Sequence, residues 1–108
     1  MNPRIESLQK MLNGPRDGAL LRFSLGNEFM KENAWQEAAK AFHAAVERDT
    51  GYSAAWKGLG KALSETGDLA GALAAYTQGQ AAAEQRGDIQ ASKEMGVFIR
   101  RLQKAGQS

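Results

Sequence analysis

Apolar residues recur along this chain at spacings of three and four, the mark of helices that bury one face. Ile5, Leu8 and Leu12 follow that spacing near the start, behind Asn2 as a cap and Pro3 at the favoured first helical position. Asn13-Gly14-Pro15 then ends the run. Further along, Asn33, Gly67, Gly87 and Gly106 stand where apolar periodicity stops, and these residue types tolerate the left-handed conformation that closes a helix. Asp17, Ser53, Asp68 and Asp88 stand where it resumes, and each can cap the next helix. The pattern predicts six helices, near residues 3–12, 18–32, 35–48, 54–66, 69–85 and 89–104.

The helices repeat. Leu25-Gly26 returns as Leu59-Gly60, Ala38 as Ala72, Ala41 as Ala75 and Phe42 as Tyr76, while Phe29 is answered by Leu63. Each pair is 34 residues apart. Carrying that offset into the last helix would bury Gln90, Lys93 and Glu94, and burying unpaired charge is costly. A shift of two residues aligns Met95-Gly96 with Leu59-Gly60 and turns Ser92, Met95, Ile99 and Leu102 inward. It implies a longer preceding helix, through Ala81-Ala82-Ala83, and leaves Phe98 only partly explained.

A period of 34 residues with these boxes resembles the tetratricopeptide-repeat (TPR) family, whose pattern is W-x2-L-G-x2-Y, then A-x3-F, then P. The second repeat reads Trp56, Leu59-Gly60 and Leu63, then Ala72 and Tyr76. The first reads Arg22, Leu25-Gly26 and Phe29, then Ala38 and Phe42. Arg22 replaces the tryptophan, and Thr50 and Glu84 replace the proline. The resemblance covers residues 19 to about 102 and is to the short free-standing members of the family. It implies an all-α array of antiparallel helix-turn-helix repeats in one domain, residues 1–108. Within it, 1–16 would form an N-terminal helix and loop, 19–52 and 53–88 two repeats, and 89–105 a capping helix.

The resemblance also implies a protein-binding adaptor or scaffold whose first helices line a concave groove. Matching the repeats gives three columns of partner-binding candidates: Phe23, Lys57 and Lys93; Asn27, Lys61 and Val97; Met30, Ser64 and Arg100. Four of the nine are basic and none is acidic, although Glu65 and Glu94 lie nearby, so an acidic peptide suits the groove. Exposed helix positions favour lysine in any case, which explains the charges equally well. The family's carboxylate clamp is not matched: its places hold Phe23, Asn27, Gly58, Gln90 and Glu94, and only Asn27 agrees.

Composition narrows the function further. The 108 residues are 43% hydrophobic and 24% charged, ordinary for a soluble globular protein. There is no cysteine, which removes disulfides, thiolate metal sites and cysteine nucleophiles and fits a reducing cytoplasm. Met1–Leu12 is too charged for a signal peptide, and no apolar run reaches the ~18 residues that span a membrane. His43 is the one histidine; it follows core position Phe42 and reads as a surface residue, so no metal site or triad has support. Gly58-Leu59-Gly60 lies inside a helix and makes no phosphate loop, and the carboxylates do not converge. Trp35 and Trp56 read as repeat core, and Arg100-Arg101 with Lys104 as a solvated helix end. No catalytic residue and no cofactor is expected. A second reading is a homo-oligomer joined through Phe98 and Leu102 of the terminal helix. RNA binding ranks third: net charge is only +2, and the groove has no stacking aromatic beyond Phe23.

Overall fold

A computed structural model describes residues 2–106. Six helices follow one another: α1 (Pro3–Gln9), α2 (Ala19–Lys31), α3 (Trp35–Arg48), α4 (Ser53–Thr66), α5 (Leu69–Gln85) and α6 (Ile89–Gly106). Among the described residues there is no strand. Each helix packs on the next, so the chain is an all-α array of antiparallel neighbours.

One turn design joins the pairs. Asn33 (φ 57°), Gly67 (φ 90°) and Gly87 (φ 73°) take the left-handed conformation. The next amide then reaches back to a carbonyl of the finishing helix: Ala34 to Phe29 at 2.9 Å, Asp68 to Leu63 at 3.0 Å, Asp88 to Ala83 at 2.9 Å. This closes orphan carbonyls at a helix end. Asp68 and Asp88 cap as expected, accepting from the amides of Gly71 (2.8 Å) and Ala91 (3.0 Å). Asn2 likewise accepts from Arg4 N at 2.8 Å.

Two expected caps do not form. Gly18 caps α2, and Asp17 instead receives both Nε and Nη2 of Arg22, at 2.9 and 2.7 Å. Arg22, which fills the place of the repeat tryptophan, therefore has an ionic partner rather than an apolar one. Hydrogen bonds from Arg22 and from the Asn13 amide hold the Asp17 carboxyl well below the usual carboxylate range. At α4 the cap position is Tyr52 and Ser53 is already helical. The first helix also stops at Gln9 rather than Leu12. Asn13, left-handed at φ 65° and bonded through its amide to Asp17, turns the chain there.

Glycine decides how closely the helices approach. A Cβ on Gly26 of α2 or Gly58 of α4 would come within 2.6 Å of the Phe42 ring. One on Gly60 would come within 2.7 Å of Tyr76. Phe42 is thus seated in a slot between two first helices, with Val46, Leu59 and the alanines around it. Tyr76 begins the next layer, with Ala72, Ala83 and Met95. Burial pushes the Tyr76 hydroxyl pKa up. Ile5 of α1, with Leu25 and Ala41, closes the other end.

The shifted register of α6 is the one observed. Met95 is buried, and Ile99 and Leu102 pack on its cluster. Phe98 stacks on Tyr76, ring centres 5.0 Å apart and planes at 21°. Trp56 packs on the main core and donates Nε1–H to the Thr50 carbonyl at 2.8 Å. Trp35 is not core in the same sense: it is half-buried at the start of α3, in a shallow hollow with Asn33, Glu37 and Thr66. No helix among the described residues is long and apolar enough to cross a membrane.

Candidate functional site

First helices α2 and α4 lie side by side because Phe42 from α3 sits on a glycine of each. Their outward residues form the walls of a hollow of about 330 Å³. Phe23, Asn27 and Met30 come from α2, Lys57, Gly58 and Lys61 from α4, and Phe42 shows at the floor. The Phe23 ring is held by two neighbours, Tyr52 at 4.8 Å and Phe42 at 5.8 Å between centres. Five of the nine candidate residues therefore meet in one place.

The other four are spread out. Lys93 and Val97 line a neighbouring hollow of about 480 Å³ on α6, with Ile89, Gln90 and Glu94. Ser64 and Arg100 line neither of these two hollows. The Ser64 side chain hydrogen-bonds the Tyr76 hydroxyl, so it faces α5. Arg100 is exposed on α6.

The charge of the groove differs from a plain basic stripe. Lys57 Nζ donates to Glu94 Oε1 at 2.9 Å, tying α4 to α6 across the face. Lys61 and Lys93 are exposed and make no ion pair. Glu94 was visible in the sequence as a neighbour of Lys93, but its partner was not, since the two pairing residues are 37 positions apart. Phe42 was read as core and is also the floor of the site.

Nothing in this geometry is arranged for catalysis. Among the described residues no three His, Asp or Glu side chains are grouped to hold a metal ion. His43 is exposed and lies 3.4 Å from Glu47, one turn along α3. A buried carboxylate exists, but away from the groove. Glu28 on α2 accepts from Lys31 at 3.0 Å and from Asn2 Nδ2 at 3.1 Å, with Arg4 at 3.6 Å. It anchors α1, and these hydrogen bonds, that of Lys31 first, hold its pKa below the usual value.

Comparison with known proteins agrees with this architecture. The family description of the tetratricopeptide repeat matches residues 29–95. A TPR repeat-containing protein of Pseudomonas aeruginosa is 50% identical over 101 residues, which is 94% of this chain and 96% of that protein. A protein of Bordetella parapertussis solved in solution superposes with a TM-score of 0.80 at 44% identity, covering 97% of this chain and 91% of that one. A tetratricopeptide repeat domain from Salinibacter ruber shares the fold, with a TM-score of 0.73 at 24% identity over 83% of this chain and 90% of its own. With the repeat boxes, the turn design and a half-identical relative in agreement, the chain belongs to the tetratricopeptide-repeat family.

Proposed function

We propose that this protein is a non-catalytic adaptor that holds a segment of another protein in the concave groove formed by α2, α4 and α6. Proteins of this family generally act by binding other proteins. The observation that carries the reading is the convergence of Phe23, Asn27, Met30, Lys57 and Lys61 on one hollow floored by Phe42. Phe23 and Met30 offer an apolar anchor, Asn27 a hydrogen-bonding amide, and Lys61 with Lys93 attraction for carboxylates. Ser64, Val97 and Arg100 extend the surface along the helices. The partner segment is acidic on this reading, and the cysteine-free composition suits a cytoplasmic setting.

Self-association through Phe98 and Leu102 is the weaker account, because both side chains pack against the Tyr76 cluster. RNA gains no support either, since Phe23 is the only aromatic on the groove wall.

The test is affinity capture of partners followed by measured binding of the captured protein. A folded Lys57→Glu/Lys61→Glu variant should bind at least several-fold more weakly, since like charge then faces the carboxylates. Undiminished affinity would remove the site from the concave face.

A further inference from the structure

The repeats contain a second kind of site, and it is unfilled on α6. In the first repeat the ring of Phe42 lies on Gly26, and in the second the ring of Tyr76 lies on Gly60. In each, an aromatic from the following helix fills the notch that a glycine leaves. Gly96 holds the same place in α6 under the observed register. No helix among the described residues lies on that side of α6. A Cβ on Gly96 would meet only Gln80 Nε2 at 3.0 Å and Arg100 Nη1 at 3.5 Å. Both are ends of flexible side chains, so the notch is covered by groups that can swing away.

The surroundings say what would fit. Residues 89–106 hold Lys93, Arg100, Arg101 and Lys104 against Glu94 alone, while the rest of the chain has ten cations and eleven carboxylates. Glu94 is taken by Lys57, and none of the four α6 cations has an ion-pair partner. Arg101 only lies over the Phe98 ring, 6.0 Å from its centre. Cations near a helix C-terminus also complement its dipole; that does not account for the notch. Arg100 further stands where α4 has Ser64, the residue that hydrogen-bonds the Tyr76 hydroxyl. A second copy of this chain cannot supply the missing ring, because every aromatic side chain here is buried or half-buried.

We propose that the outer face of α6, notched at Gly96, docks a helix of a different protein that presents a tyrosine with carboxylates beside it. The ring takes the place that Tyr76 takes on Gly60, its hydroxyl accepts from Arg100, and Ile99 and Leu102, half-exposed, flank it. Arg101 and Lys104 meet the carboxylates. This surface lies beyond the concave hollow of α2 and α4 and does not depend on that reading.

The probe is a fluorescein-labelled peptide with the sequence of residues 68–86, which carries Tyr76, altered by Ala70→Glu and Ala74→Glu. These two positions are exposed on α5. They lie in the half of the helix that, running antiparallel, would meet the C-terminal half of α6. Fluorescence anisotropy should show saturable binding to the full chain that weakens with salt. Gly96→Leu should weaken it about tenfold or more by filling the notch. Arg100→Glu/Lys104→Glu, which alters only exposed side chains, should do the same. Tyr76→Phe in the probe should weaken binding to the wild type and not to Arg100→Ala. Lys57→Glu/Lys61→Glu should leave it unchanged, which separates this site from the concave one. No saturable binding up to about 1 mM, an unaffected Arg100→Glu/Lys104→Glu variant, or amide shifts centred on Phe23 and Lys61 would each overturn the proposal.

Discussion

Lys57 Nζ lies 2.9 Å from Glu94 Oε1, so a cation of α4 is already neutralised by a carboxylate of α6 within the groove. A partner carboxylate reaching Lys57 has to displace Glu94. Both side chains are nearly half-exposed (43% and 48%), and exposed pairs contribute only ~0.2–1 kcal/mol to stability. Glu94→Gln should therefore leave the melting temperature almost unchanged while raising affinity for an acidic partner a few-fold. Affinity that falls on this change would mean that Glu94 itself contacts the ligand.

Glycine substitutions should separate filled slots from the empty one. Gly60→Leu would drive a side chain into the Tyr76 ring, and overpacking of this kind costs about 1–3 kcal/mol. Gly58→Ala should also destabilise, against Phe42. Gly96→Ala meets only movable side-chain ends, and alanine gains up to ~1 kcal/mol of helix propensity over glycine. Thermal melts should place Gly96→Ala at or above the wild type and the other two below it.

Phe98→Ala should act on folding rather than on oligomeric state. The ring is stacked on Tyr76 and half-buried, so its loss should cost about 2 kcal/mol, less than the full core value. Denaturant unfolding with sizing at several concentrations tests this. A variant of unchanged stability but altered assembly would restore Phe98 as a contact between copies.

Acid should loosen the N-terminal end. Asp17 and Glu28 both have depressed folded-state pKa values, set by Arg22 and by Lys31 with Asn2. Their contribution is present above the ordinary carboxylate range near about pH 4. It is lost as the pH falls through that range and further, toward the folded values. Glu28→Gln and Asp17→Asn should each flatten the fall in stability below about pH 4. An unchanged acid limb in both would mean that these ion pairs do not hold α1 and its loop.

The order of helices, their turns and the register of α6 were legible in the residues, because those signals are local. A left-handed Asn33 or Gly67, a capping Asp68 and an apolar row each act within a turn or two of chain. The close-packing glycines were legible too, since the repeat marks them twice. The groove was legible as a set of columns, and five of its nine members do converge. Side-chain pairing was not. Whether Lys57 meets Glu94, whether Arg22 finds Asp17 instead of the core, and whether Ser64 turns toward Tyr76 depend on helix crossings and on long, multi-rotamer side chains. Glu28 is buried only because Asn2, Arg4 and Lys31 surround it, a coincidence of three elements that no spacing encodes. Phe98 found its place, and Gly96 was left open, once α5 and α6 had packed, since the depth of a slot is set by the neighbouring helix and not by the residue that lines it.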